Sequence, residues 1–536
     1  MFRSSLTWLI FLATASAPLA AAEKAPSQRQ AEKTGERCWA DVRVLADDGM
    51  EGRRAGAPGH RRAAEFVAAQ FQKARLAPGG DGGFLQAVKL ESRTIQEANS
   101  SLTLVRDGTR TPLTLGQDAA FVLRGNFARQ VDAPMVFIGS GLRLPQYGVD
   151  DLAGLDLAGK VVVLISTSPP SVPGAAGAHF GSAAERWKVY HAAGAVGVVV
   201  ISDPDNTDVP FERLAPRRFE PFMTLRDSGE DQFVGQQIWL QFNPKNFQKL
   251  LEGTGHTAEE IFATLKRHET LPRFELKARL AATTDAKVES TVSENVIGVL
   301  RGSDPAVRDE LVVLSAHLDH LGISTEAGAD HVFNGAMDNA SGVAVLMQIA
   351  RELGKRKAPR RTVVFAAVTA EELGLLGSRA YVNGALARHE RIVANLNTDM
   401  FLPLYPMRQI MVFGLDESEL GDDVRAIAAE IGIGVQPDPQ PLRNRFIRSD
   451  QYSFIRAGIP ALATKVGFAA DTPEAELEHQ WTATRYHALG DDISQPVDLG
   501  AVGMYEAVIR RLAVRIANRA QAPKWRETSV FAQLAK

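Results

Sequence analysis

Apolar positions change period along the chain, and each change marks a different kind of element. From Cys38 onward Trp39, Val42, Leu45 and Met50 follow roughly helical spacing. A Gly/Arg/Pro turn fills 52–59, and a second amphipathic run at 61–75 carries Ala64, Phe66, Val67 and Phe71. Strand-like runs follow at 102–105 and 119–123. Past about 132 the character shifts: 135–138 and 160–165 read as short buried strands. A helix at 183–193 then leads through Gly194 into a strand at 196–201. Residues 203–232, rich in Pro, Arg and Asp, read as surface loop. Beyond about 290 a regular alternation begins. Strands are expected at 295–300, 310–316, 361–368, 392–397, 410–413 and 460–466. Helices at 340–353, 373–383, 422–430 and 451–457 fall between them, and a helix at 499–519 closes the run. Near-continuous Val/Ile/Leu strands alternating with helices predict an α/β fold, with a mostly parallel central sheet covered on both faces.

The chain of 536 residues is too long for one ordinary core, so two or three domains are expected. Residues 1–22 have Arg3, an apolar run at 6–17 and small residues at Ala20, Ala21 and Ala22. That pattern reads as a cleavable secretory signal and predicts a periplasmic or secreted protein. No later apolar stretch reaches spanning length, so no stable membrane insertion is expected after cleavage. Residues 23–37 are polar and charged and read as a flexible segment; 521–536 read as a C-terminal tail. Lys and Arg total 60 against 63 for Asp and Glu, which gives no pull toward nucleic acid. Cys38 stands alone, so no internal disulfide can form, and it reads as a buried small residue.

The chemistry gathers where predicted strands end. His317 follows one strand in Ala-His-Leu-Asp-His, Glu371-Glu372 closes another, and Asp399 follows a third in Asn-Thr-Asp-Met. Asp338 stands at a loop-to-helix junction, and His487 follows Tyr486. Open α/β sheets place their sites at such strand ends. Imidazoles with carboxylates suit divalent cations, and an extra glutamate is left to move protons. Each residue also has a plainer reading. The His-Leu-Asp-His segment can be a solvated loop, with His320 competing as ligand and Asp319 placed to hold the other nitrogen of His317. Asp338 can be an N-cap, or it can bridge cations while Asn339 or Ser341 caps. Glu371-Glu372 can simply favour a helix dipole. His179, His191, His256 and His268 read as surface or packing residues. The segment 467–484, with His479 and Trp481, either shapes the pocket or is a surface excursion. A Gly-x-Ser-x-Gly elbow, a phosphate loop and a His-Glu-x-x-His helix are all missing from the sequence.

Taken together, Ala-His-Leu-Asp-His-Leu-Gly, Asn-Gly-Ala-Met-Asp-Asn-Ala-Ser-Gly, Ala-Glu-Glu-Leu-Gly-Leu-Leu-Gly-Ser, Asn-Thr-Asp-Met and Tyr-His resemble the dizinc peptidase family M28, in the family's order. Glu51-Gly52-Arg53-Arg54-Ala55-Gly56, the run from Arg448 to Phe454, and Gly458-Ile459-Pro460-Ala461 add to the resemblance. Residues 132–272 resemble the protease-associated domain that many members carry as an insertion. The peptidase domain would then be 38–131 and 273–520. The resemblance implies two zinc ions: one on His317, Asp338 and Asp399, the other on Asp338, Glu372 and His487. It makes Glu371 the general base, Asp319 the residue that orients His317, and Tyr486 an oxyanion donor. Gln451 departs from the family pattern, which often has His there. The expected function is a secreted or periplasmic zinc metallo-exopeptidase that takes peptide N-termini as substrate. Carboxypeptidase or dipeptidase action is the alternative, with Arg443, Arg445 and Arg448 as candidates for a terminal carboxylate. Phosphatase, glutaminyl-cyclase-like and non-catalytic receptor-like relatives complete the field. The insertion is expected to roof the cleft.

Overall fold

The computed structural model describes residues 24–207, 209–226, 232–324, 331–443 and 445–535, and the expected signal segment at 1–22 lies outside them. Among the described residues, ten strands form one large sheet. Its centre is Thr362–Val368, Glu310–His317, Arg391–Thr398 and Ala461–Val466, all mutually parallel. Thr362–Val368 is buried at every position, which explains its unbroken apolar run. Antiparallel strands flank this centre: Ala286–Leu300 on one side and Gln409–Phe413 on the other. The parallel order expected from the alternation holds for these four central strands, and again at the edge, where Gln409–Phe413 pairs parallel with Gly434–Pro437. Helices Gln28–Leu45, Pro58–Lys73, Ser341–Leu353 and Leu499–Asn518 share one apolar core with this sheet. No described helix is long and apolar enough to cross a membrane.

A second sheet of eight strands has its own core. It runs from Ser101–Arg106 to Phe274–Thr283, wider than the 132–272 read from the sequence. The early strands Ser101–Arg106 and Ala119–Phe121 belong here because their partners are Phe274–Thr283 and Ile238–Phe242, far along the chain. A local pattern cannot show such pairing. The two units are joined by a ribbon in which Leu85–Ile95 pairs antiparallel with Ala286–Leu300, from Leu85 opposite Val296 to Ile95 opposite Ala286. Part of the expected surface loop returns to the main sheet: Phe222–Leu225 pairs with Leu90 to Arg93 of the ribbon.

Two expectations about the ends are corrected. Within 23–37, helix Gln28–Leu45 begins at a Ser27 capping box and buries Ala31 and Gly35. Its buried face starts with small residues, so the segment looked merely polar. Gly35 lies where a Cβ would fall 1.9 Å from the Leu499 carbonyl oxygen, and Gly503 is equally tight against the carbonyl of Ala31. The segment 521–536 is no loose tail either. Trp525 donates its indole N–H to the Gly458 carbonyl at 2.8 Å, and Phe531 is fully buried beside it. Cys38 is buried, as expected.

Candidate metal centre

The parallel strands bring the expected donors to one edge. His317 ends Glu310–His317, and its Nδ1 donates to the Asp319 carbonyl at 3.1 Å. Its Nε2 is thereby aimed outward, 3.2 Å from both Asp338 Oδ1 and Asp399 Oδ1. Asp338 Oδ2 lies 3.2 Å from His487 Nε2, which is 3.0 Å from Glu372 Oε2. Asp338 thus divides its oxygens between the two imidazoles. Asn339 is the side chain that caps the following helix: its Oδ1 accepts from the Gly342 amide at 3.0 Å. That leaves Asp338 unused for capping. Its own amide, with that of Met337, donates to buried Asp491.

The role expected for Asp319 is corrected by the geometry. Its main-chain carbonyl, not its carboxylate, holds His317; the carboxylate oxygen is 4.0 Å from that ring. Instead Asp319 Oδ1 and Oδ2 accept the amides of Glu371 and Glu372 at 3.1 and 3.3 Å. The carboxylate therefore fixes the loop that presents both glutamates. That loop, 369–375, precedes helix Leu376–Ala387 rather than opening it, so the glutamates are not helix-dipole partners. His320 enters the cluster more closely than its spacing suggested: its Nδ1 is 2.8 Å from Glu372 Oε1, and its Nε2 is buried without a protein partner.

Several non-glycine residues here have left-handed backbones, among them Ala370 at φ 54°, Met400 at φ 43° and His487 at φ 54°. Each adjoins or is a candidate site residue, and such strain is held only where surrounding packing overrules it. Arg53 braces other backbone segments of the site. Its guanidinium is fully buried and donates to the carbonyls of Leu45, Leu318, Asn334 and Gly335. One side chain of the Glu-Gly-Arg-Arg motif thus ties the loops around Asp319 and Asp338 together. From the second unit, Arg213 donates to the Tyr486 carbonyl at 2.5 Å and the Ala483 carbonyl at 3.3 Å, bracing the His487 loop.

Electrostatics follow from burial against close partners. Burial acts to raise Asp338, but His317 and His487 outweigh it and hold the carboxylate well below its usual range. Burial acts to lower His487, but Glu372 and Asp338 raise it to about 9. Glu371 is raised well above a usual carboxylate by burial, against the pull of His317, with Glu372 and Asp399 adding to the rise. Asp319 is raised to about 7, mainly by burial. Burial also pushes the Tyr486 phenol up, which keeps it protonated.

Ligand atoms of His317, Asp338 and Asp399 lie within 4.8 Å of one another, as do those of His320, Asp338 and Glu372. Imidazole nitrogens and carboxylate oxygens, converging and buried, are the donor set a divalent cation takes. A cleft of about 710 Å3 opens beside them, walled by Glu371, Glu372, Tyr486 and His487 on one side. Arg124, Asn126, Phe233 and Trp239 of the second unit form the facing wall. Gln451 lines the smaller cavity over the site, while its Oε1 accepts from Asn397 at 2.9 Å and its Nε2 donates to the Phe446 carbonyl at 2.8 Å. Of the arginine trio, Arg445 pairs with Glu478 at 3.2 Å, and Arg448 donates to the Tyr486 hydroxyl at 3.4 Å. The segment 467–484 carries helix Pro473–Thr484, which buries Trp481 and sets Thr482 against the smaller cavity over the site.

Known proteins resemble this chain in part. Residues 295–513 match the model of peptidase family M28. It is 32 % identical over 223 residues to a probable leucine aminopeptidase 2 of Aspergillus fumigatus, over 39 % of this chain and 42 % of the relative. It is 30 % identical over 224 residues to aminopeptidase YwaD of Bacillus subtilis, over 40 % of this chain and 45 % of that one. The chain therefore spans less than half the length of these curated relatives. In fold it resembles the aminopeptidase of Aneurinibacillus sp. strain AM-1 with a TM-score of 0.54 and 20 % identity, over 94 % of this chain and 98 % of that one.

Proposed function

We propose that this protein is a dinuclear zinc aminopeptidase, hydrolysing peptide bonds at free N-termini. The observation that carries the reading is Asp338, whose oxygens each lie 3.2 Å from a different imidazole. One ion would be held by His317, Asp338 and Asp399, the other by Asp338, Glu372 and His487. When bound, zinc polarises a carbonyl and lowers the pKa of water toward ~7.

The protein's own residues do the rest. Glu371, held by the Asp319 carboxylate through its amide, takes a proton from the attacking water and returns it to the leaving amine. Burial raises its pKa above the usual carboxylate range, which makes it a stronger base. Tyr486 keeps its proton and donates to the oxyanion. The second unit, a protease-associated domain in this reading, closes the cleft from the far side and limits substrate length. Residues 1–22 would direct the chain to the periplasm or outside the cell. The names of the fungal and bacterial relatives support the aminopeptidase assignment.

One observation favours a second reading, dipeptidase action. Arg124 of the second unit reaches the mouth of the site, with Nη2 3.5 Å from the Glu372 carbonyl, where a short peptide's carboxylate would lie. Metal analysis with turnover of amino-acid p-nitroanilides, for wild type and Glu371→Gln, tests the proposal. Two metals per chain and anilide turnover that collapses in the variant support it. Turnover of dipeptides alone selects the second reading, and a chain without metal affinity overturns both.

A further inference from the structure

The second unit holds a cation that nothing in the peptidase chemistry uses. Helix Ala183–Ala192 lies over the strands Val161–Ser166, Gly197–Ser202 and Ile238–Phe242, and between them is a cavity of about 100 Å3. Arg186 lines it and is only 6 % exposed. Its Nη2 donates to the Thr167 carbonyl at 2.9 Å, but its Nε has no protein partner. Among the described residues no carboxylate forms an ion pair with it. Asp151 is close enough to act on it, yet its Oδ2 already accepts from Ser140 and from the Leu142 amide.

A buried guanidinium without a counter-charge costs several kcal/mol in general, so such groups are normally paired. Other features of the same cavity answer that need. The Trp239 indole N–H is buried with no protein acceptor, and buried Gln236 leaves its amide oxygen unpartnered. Ala183, at the first turn of the ten-residue helix, brings the positive end of its dipole to the wall. The main groups acting on Arg186 are Tyr190 and Asp151, and burial, the leading cause, lowers its pKa.

We infer that this cavity is a binding site for a small monovalent anion of chloride to acetate size, held by Arg186 and the Trp239 indole N–H. The Gln236 amide turns its NH2 toward the same ion, since amide orientation follows the partner present. Trp239 and Ala183 also line the large cleft, so the ion lies one side chain away from the substrate channel.

The test is a tryptophan-fluorescence titration of the full chain with sodium acetate replacing sodium gluconate at constant ionic strength. Gluconate is too large for the cavity. Wild type should show a saturable emission change that Trp239→Phe removes, and Arg186→Gln should weaken the midpoint at least about tenfold. If Arg186→Gln fails to fold, Gln236→Glu decides, because it supplies the missing carboxylate from within. It should abolish the response and melt higher than wild type in gluconate. No difference between acetate and gluconate, or an undiminished response in Gln236→Glu, would show a cavity filled by water alone and overturn the inference.

Discussion

The chemistry of the site turns on which oxygen meets which nitrogen, and that pattern sets the expected behaviour of single residues. Glu371 has its amide fixed by Asp319 and is among the groups acting on His317. Glu371→Gln should lower kcat by ~10²–10⁴-fold with little change in KM and metal content retained, read by steady-state kinetics and elemental analysis. His487 sets a pH dependence in metal-free protein. Its pKa is raised on folding to about 9 by Glu372 and Asp338. A raised pKa stabilises fully below the unfolded value, ~6.5, and that stability is lost as pH climbs through about 9. The same proton opposes metal binding. The gain in melting temperature on adding zinc should therefore grow from pH 6.5 to pH 9, and a gain that is flat across this window would contradict His487 as a ligand.

Among elements, the informative cases are contacts that local pattern hides. Helices Gln28–Leu45 and Leu499–Asn518 approach through Gly35 and Gly503, where an added Cβ would lie 1.9 Å from a facing carbonyl oxygen in each case. Gly35→Ala should cost about 1–3 kcal/mol by overpacking, measured as a shift in the denaturant midpoint. Arg53 joins separate loops through four main-chain carbonyls. Arg53→Met would leave those carbonyls unpaired in a dry interior and should destabilise by about 3 kcal/mol or more. Arg53→Lys should not rescue it, because one ammonium cannot reproduce the planar fork. The helix at 28–37 was missed because its buried face begins with Ala31 and Gly35, which carry too little apolar area to show a period. Most of the alternating strands and helices after 290 were legible, since continuous burial leaves continuous apolar runs.

For the molecule as a whole, two cores are joined by one ribbon, and the main cleft lies between them. Metal bound only by the folded state should stabilise it by ~2.7 kcal/mol per ion at a hundredfold its Kd. Exhaustive chelation should lower the melting temperature and zinc should restore it; chelation that leaves the melt unchanged would argue against a metal at this site. The second unit also contributes directly to the site wall, through Arg124 and through the grip of Arg213 on the His487 loop. Neither arginine belongs to a motif; Arg124 acts across 248 residues of chain and Arg213 across 273.

The sequence by itself offered the candidate donors in their order and placed His317, Glu371-Glu372 and Asp399 where strands end. Those readings follow from residue type and short-range periodicity; the grouping of the donors as a ligand set came from the family resemblance. The sequence also named Glu371 beside Glu372 and left Asn339 open as the helix cap. Tertiary structure alone decided that Asp338 faces both imidazoles and that His320 meets Glu372. It alone turned the Asp319 carboxylate toward the glutamate amides. It also fixed the second sheet at 101–283, because Ser101–Arg106 pairs with a strand near 280. Pairings between distant segments are chosen by packing and by which polar groups must find partners once buried, and no local pattern carries that information.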